Sequence, residues 1–149
     1  MPEIVTNLVQ VHPFRLRGGR VEYLVLRRSD DEPIYPGIWQ VITGGIEPGE
    51  SSFDAARREL LEETGLATER WLPLPTLATF YFAPADQMIL SPVFACELVE
   101  SAEPVLSAEH AEYCWLEQEE AHDRLVFPTH RSGVLEVEAH ISMTRKMGR

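Results

Sequence analysis

The sequence predicts an α/β (α+β) fold: a mixed β-sheet with helices on separate faces. Three observations support this. Short runs rich in β-branched and aromatic residues recur along the chain, bounded by Gly, Pro and Asp. One interior stretch, residues 51–64, has helical spacing between a capping serine and a stop glycine. A second helical pattern lies near the C-terminus. With 149 residues, the chain is expected to form one domain, residues 1–149, burying about two-thirds of its unfolded surface.

Residues 4–12 (IVTNLVQVH) alternate loosely and read as a strand. Gly18-Gly19 marks a hairpin turn among Arg15, Arg17 and Arg20, and residues 21–27 form the returning strand. Arg27 and Arg28 close it on opposite faces, so at least one points toward whichever face carries a site. Residues 29–37 are a polar loop with two prolines, and residues 38–43 (IWQVIT) a short strand in which Trp39 is either core or the wall of a base pocket. Residues 74–82 and 88–99 make a hairpin around Ala83-Pro84-Ala85-Asp86. Residues 97–123 then carry nine acids and no Lys or Arg. Within them, residues 112–116 predict a strand with Cys114 and Leu116 on one face and Tyr113 and Trp115 on the other, and residues 118–124 a short helix. A final helix over residues 129–143 has apolar positions at Val134, Leu135, Val137 and Ile141, with Gly133 weakening its first turn.

The formal charge of −11 without a basic run argues against a nucleic-acid duplex or an anionic membrane as partner. It does not argue against a small phosphorylated substrate, because a bound metal inverts the local charge. No apolar run reaches the roughly 18 residues of a membrane span, and the N-terminus lacks a signal-peptide pattern. A cytoplasmic location is expected. Cys96 and Cys114 fall within apolar segments rather than in a metal-type pair and are expected to be free thiols.

The informative stretch is residues 44–66, GGIEPGESSFDAARRELLEETGL. Its opening, residues 44–51, is a loop rich in Gly and Pro. Ser51 with Asp54 makes a weak capping box, Phe53, Ala56 and Leu60 give an apolar stripe, and Gly65 ends the helix. Glu59, Glu62 and Glu63, at spacings of three and four, project from one face. Arg58 answers Glu62 at i,i+4, but nothing in the helix answers Glu59 and Glu63. One reading is a solvated acidic face. The other is a hard divalent cation, since Mg²⁺ takes a few carboxylate oxygens and keeps its other positions for water and phosphate. Residues 44–51 also fit the spacing of a P-loop, yet Glu50 stands where that motif needs its phosphate-binding Lys.

These residues resemble the Nudix box, GX5EX7REUXEEXGU with U aliphatic. Gly44, Glu50, Arg58, Glu59, Leu60, Glu62, Glu63, Gly65 and Leu66 fill every specified position. The resemblance implies a Nudix-type α/β/α sandwich and an enzyme that hydrolyses a nucleoside diphosphate linked to another moiety, by attack of water on phosphorus. Such chemistry needs metal on the phosphate oxygens, a positioned water and a proton acceptor. By position, the resemblance makes Glu59 and Glu63 the principal ligands of Mg²⁺ (with Mn²⁺ as a substitute), Glu62 their neighbour, and the main-chain carbonyl of Gly44 a further ligand. Arg58 would hold Glu59 in place, and Glu50 would brace the loop on the helix.

Outside the box, residues 109–116 (EHAEYCWL) resemble the EHxxYxWL pattern that supplies an extra acid near the metals in the dihydroneopterin triphosphate pyrophosphatase group. This makes Glu109 a ligand and catalytic candidate, with Glu112 as fallback. Either Glu63 or Glu109 would take the proton from water. Leu26-Arg27-Arg28 and residues 39–44 (WQVITG) also resemble that group, which makes Arg27 a phosphate contact and Trp39 a substrate contact. The expected activity is therefore a Mg²⁺-dependent pyrophosphohydrolase that cleaves a nucleoside or pterin triphosphate to a monophosphate and pyrophosphate. Tyr81, fifteen residues past the box, raises dinucleoside polyphosphate hydrolysis as the alternative, although residues 41–44 (VITG) lack the Phe-Pro-Lys-Gly lead-in of that group. Pro84 raises ADP-ribose cleavage. A catalytically silent nucleotide sensor is disfavoured because Glu59, Glu62 and Glu63 are all present. A homodimer is left open.

Overall fold

The computed structural model describes residues 1–147. Eight strands form one mixed sheet: β1 (Glu3–Val5), β2 (Leu8–Arg17), β3 (Arg20–Arg28), β4 (Trp39–Gln40), β5 (Ile42–Gly45), β6 (Trp71–Phe82), β7 (Gln87–Leu98) and β8 (His110–Leu116). The helices are α1 (Ser52–Thr64), α2 (Gln118–Arg124) and α3 (Pro128–Lys146). Gly18 and Gly19 turn β2 into β3 with φ of 58° and 80°, the left-handed pair that a two-residue hairpin requires.

β2 and β3 remain paired only between Phe14–Arg17 and Arg20–Tyr23. Beyond that they splay, and the next strands fill the gap. β5 pairs with β2, and β4 pairs Gln40 and Trp39 with Leu26 and Arg27 of β3. The strand expected over residues 38–43 is thus two short ones, and Val41, between them, donates its N–H to His130 Nδ1 at 3.3 Å. The strand expected over residues 4–12 is also divided. β1 and β2 both run parallel to β7, against Gln87–Ile89 and Val93–Leu98 respectively, with Thr6-Asn7 carrying the step.

Alternation along the strands sorts the apolar residues to two faces. Val9, Val11, Leu24, Leu26 and Ile42 pack against Ala55, Ala56 and Leu60 of α1. Phe14, Tyr23, Val25 and Val41 pack against Ala121 of α2 and Val134, Val137 and Ile141 of α3. This is the α/β/α sandwich that the resemblance implies. Leu135, counted in the apolar stripe of α3, is exposed. Gly133 has a packing reason: α3 lies so close to β2 that a Cβ there would overlap the His12 ring.

The acid-rich segment is answered from the first strands. Arg28 pairs with Glu109 at 2.8 Å, Arg27 with Glu112 at 3.0 Å and Arg15 with Glu103 at 3.0 Å. Arg15 is buried, lies 4.1 Å from the centre of the Trp115 ring, and donates to the carbonyls of Glu100 and Ala102. Cys96 and Cys114 are free thiols. Among the described residues, no helix is long and apolar enough to cross a membrane.

Candidate active site

The loop from β5 into α1 is tied to the helix by one side chain. Ser51 caps α1, its Oγ accepting from Asp54 N at 3.1 Å. Gly65, at φ 70°, ends the helix through its N–H to Leu61 O. Arg58 projects back toward the loop. Its Nε and Nη2 form a fork on the two Glu50 oxygens, each at 2.9 Å, and Nη2 also donates to Gly45 O at 2.7 Å. Its Nη1 reaches Glu59 Oε1 at 3.0 Å and the Glu62 carboxylate at 3.3 Å. Glu50 also accepts Glu47 N. The guanidinium fork, with the Glu47 amide, holds Glu50 down to about 2.

The three glutamates of α1 do not share one environment. Glu59 and Glu63 are buried against the sheet, whereas Glu62 is exposed. Gly44 lies so close to Glu59 that a Cβ would overlap its carboxyl group, which is a steric reason for glycine there. Burial pushes Glu59 up to about 7 despite the neighbouring Arg58. This carboxyl has less positive charge around it than its burial demands.

Glu63 is met by residues from outside the box. Its Oε2 accepts Ser107 Oγ at 2.9 Å and lies 3.0 Å from His110 Nδ1. The other ring nitrogen, His110 Nε2, lies 2.8 Å from Gln40 Nε2. With the Gln40 amide donating, the ring proton sits on Nδ1 and is given to Glu63. Burial opposes charge on Glu63, but these donors outweigh it and hold the carboxyl below its usual range. Glu109 is raised by burial and by the neighbouring Glu63 charge. It accepts from Arg28 Nη1 at 2.8 Å, and Arg28 also binds Glu32 and Ile34 O.

Glu63, Glu109 and His110 offer ligand atoms that all lie within 4.8 Å of one another. Oxygen-rich, half-enclosed donors short of positive charge fit a hard divalent cation. The His110 proton is already engaged by Glu63, so the ring orients that carboxylate.

The remaining sequence candidates lie elsewhere. Arg27 binds Asp30 and Glu112, each at 3.0 Å. A register shift between Arg27 and Arg28 pairs Arg28 directly with His110. Of the two arginines, Arg28 therefore contacts Glu109, and Glu112 is engaged by Arg27. Trp39 packs on the α3 side with the Arg124 guanidinium 5.0 Å from its ring centre. Tyr81 is exposed near the hairpin tip, its hydroxyl donating to Asp86 at 2.7 Å. Gln40, Ser107 and His110 were not singled out in the sequence, and Arg28 was weighed there only beside Arg27. The signal available for two of them was their adjacency to named ones, Arg28 to Arg27 and His110 to Glu109.

A family model described as NUDIX domain matches residues 8–136. The chain belongs to the Nudix hydrolase family. This Nudix hydrolase is 31% identical over 106 residues to Nucleoside triphosphatase NudI of Escherichia coli (strain K12), a match covering 66% of this chain and 74% of that one. It is 38% identical over 116 residues to the Octanoyltransferase of Myxococcus xanthus, covering 74% of this chain. It spans only 30% of the length of that relative. Among solved structures, the E. coli dihydroneopterin triphosphate pyrophosphohydrolase has the same fold, with a TM-score of 0.73, 23% identity, and coverage of 87% of this chain and 94% of that one.

Proposed function

We propose that this Nudix hydrolase cleaves a nucleoside triphosphate, or a related pterin triphosphate, to a monophosphate and pyrophosphate. The observation that carries the proposal is the meeting of Glu63 and Glu109 beside a complete box. Glu63 of α1 meets Glu109 from the turn before β8, framed by Ser107, His110 and Arg28, while Glu59, one turn earlier on α1, is held by Arg58. The E. coli NudI match, whose name specifies nucleoside triphosphates, supports the substrate class.

In this reading Glu59, Glu63 and Glu109, with Glu62 beside them and the Gly44 carbonyl, would hold Mg²⁺, or Mn²⁺ in its place. The cation supplies the positive charge that lets a triphosphate approach an acidic cleft. The residues divide the remaining work. Ser107 and His110 saturate one oxygen of Glu63, which suits it to a fixed, ionised role. Glu109, held by Arg28 and adjoining the Glu63 carboxyl, suits the proton acceptor. Water attacks phosphorus, one P–O bond of the α–β anhydride bridge breaks, pyrophosphate leaves, and the water proton passes to a Glu109 oxygen. Arg28, rather than Arg27, is the cation best situated to meet a phosphate. Arg27, Trp39 and Tyr81 take no part in this assignment, since each is engaged away from the carboxylates.

The test is a Mg²⁺-dependent hydrolysis screen with chromatographic identification of products. The panel holds the common nucleoside triphosphates, oxidised guanine triphosphates, dihydroneopterin triphosphate, diadenosine polyphosphates and ADP-ribose. Pyrophosphate from a triphosphate is the expected result and names the base. Cleavage of only a dinucleoside polyphosphate or ADP-ribose overturns the substrate class. Metal binding without any turnover would instead establish a sensor.

A further inference from the structure

The three nitrogens of the Arg28 guanidinium are held by three different acceptors. Nη1 donates to Glu109 Oε1 at 2.8 Å, Nη2 to Glu32 Oε2 at 3.1 Å and Nε to Ile34 O at 3.0 Å. Two of these acceptors belong to the loop that follows β3. That loop doubles back at once, because Glu32 N donates to Ser29 O at 3.2 Å. Its base is closed by the Arg28 backbone, with Arg28 N donating to Ile38 O and Gly37 N to Arg28 O. Glu32 is thereby carried back over Arg28. The loop has three acids. Asp30 pairs with Arg27 at the surface and Asp31 is exposed, whereas Glu32 turns inward, its side chain 26% exposed against 79% for Asp30.

The Ile34 carbonyl and the backbone bonds already stitch this loop to Arg28, so the Glu32 carboxylate is not needed to close it. Its effect falls on the guanidinium. Arginine has five N–H donors, and the three bonds leave one free on each terminal nitrogen. A long side chain that is free to rotate must be immobilised when a ligand arrives, and prior anchoring removes that cost. Glu109 cannot supply the anchor throughout, since the reading above also gives it to the metal and to the water proton. Glu32 can. Among the described residues its side chain bonds Arg28 alone, and it sits on the same loop. A carboxylate so placed also repels a phosphate, so anchoring and charge act in opposite directions and can be separated by substitution.

We propose that Glu32 is a positioning residue: with the Ile34 carbonyl it fixes the Arg28 guanidinium so that its two spare N–H groups are ready for a phosphate of the substrate. This rests on the reading that Arg28 meets a phosphate. Glu32 itself touches neither substrate nor metal.

Two measurements test it: steady-state kinetics on whichever compound the screen shows to be cleaved, and calorimetric titration with inorganic pyrophosphate and Mg²⁺. Glu32→Ala is expected to raise KM and the pyrophosphate Kd about 3- to 10-fold while kcat stays within about two-fold, the pattern of a contact equal in ground and transition states. Glu32→Gln, which keeps the acceptor without the charge, should restore both constants to the wild-type value or tighter. Asp31→Ala, which removes a nearby charge but no bond to Arg28, should match the wild type. In an Arg28→Met chain, adding Glu32→Ala should change the pyrophosphate Kd less than two-fold. The proposal is overturned by a Glu32→Ala chain with unchanged KM and Kd, by Glu32→Gln as damaging as Glu32→Ala, or by an equal loss in Asp31→Ala. A full further loss in the Arg28→Met chain also overturns it, because Glu32 would then act through the loop. If no triphosphate is cleaved, the substrate reading fails by itself, and the pyrophosphate titration still decides the role of Glu32. A wild type that does not bind pyrophosphate, or an Arg28→Met chain that binds it equally well, removes the phosphate contact and the proposal with it.

Discussion

Replacing Gly44 with alanine is expected to damage catalysis far more than folding. The new Cβ would overlap the Cγ, Cδ and Oε1 atoms of Glu59. The backbone cannot yield easily, because Gly44 is paired with Val9 in the β2–β5 ladder. The Glu59 carboxyl must therefore retreat by about 1 Å and strain its bond to Arg58 Nη1, now 3.0 Å. Misplacing a catalytic centre by that distance lowers rate about 100-fold, which corresponds to about 2.7 kcal/mol of transition-state stabilisation. Stability moves less. Overpacking costs roughly 1–3 kcal/mol, partly offset by the roughly 0.5–1 kcal/mol that alanine gains over glycine within a strand. At about 2–4 °C per kcal/mol for a chain of this size, the melting temperature should fall by no more than about 10 °C. The assay is steady-state pyrophosphate release at saturating Mg²⁺, read beside thermal unfolding. Gly45→Ala is the control, since the nearest atom to its Cβ is Asn7 O at an ordinary 3.9 Å, and it should behave as the wild type. If Gly44→Ala keeps a third of the wild-type kcat/KM, or Gly45→Ala loses as much, Glu59 does not occupy the position assigned to it.

Three further outcomes are expected. Glu109→Gln should lower kcat at least 100-fold, whereas Glu112→Gln, which removes only the exposed pair with Arg27, should leave kcat within a few-fold; the reverse order would move the extra acid to Glu112. Glu63→Gln should abolish the rise in melting temperature that Mg²⁺ gives the wild type, and an undiminished rise would remove Glu63 from the ligand set. Acid should destabilise the fold through two buried histidines. Burial, followed by the His130 charge, lowers His12 to about 3, and burial lowers His130 to about 4. Between the unfolded value near 6.5 and those folded values, the unfolded chain binds more protons. Stability is thus full above pH 6.5 and declines as pH falls toward 4, by about 1.4 kcal/mol per unit for each ring. Denaturant midpoints from pH 7 to 4.5 measure the slope, and a His12→Gln chain with an unchanged slope would refute the assignment.

What could be read from the sequence was whatever local chemistry decides. α1 was legible because Ser51 and Gly65 cap it and its apolar stripe is regular, and α2 forms over the expected residues 118–124. The Arg58–Glu59 bond was legible because both residues lie within one motif, whereas the fork of Arg58 on Glu50 appears only in the fold. Partner exchange was not. The break at Val41 arises where the chain leaves β3 for β2, and that at Thr6-Asn7 where the pairing against β7 steps in register, neither of which a local pattern encodes. The choice of Arg28 over Arg27 depends on the register shift against β8, and a period of two cannot say which face a bulge will select. Helical spacing grouped Glu62 with Glu59 and Glu63, but the boundary between buried and exposed runs through that arc. Ser107 and His110 reach Glu63 across 44 and 47 positions of chain, and Gln40 reaches His110 across 70, separations that only the folded sheet closes.

The Arg58 hub has an organisational consequence. Every side chain and carbonyl it binds (Gly45, Glu47, Glu50, Glu59 and Glu62) lies in the same short stretch of chain. The loop and helix therefore form a portable cartridge whose shape is set from within, needing from its host only a strand to leave and a sheet to lie on. The parts that finish the cleft, Arg28, Ser107, Glu109 and His110, belong to the host. Grafting or shuffling the cartridge would carry over Glu59, Glu62 and Glu63 with the Arg58 bracing, while Glu109 and the Ser107 and His110 contacts to Glu63 would stay behind.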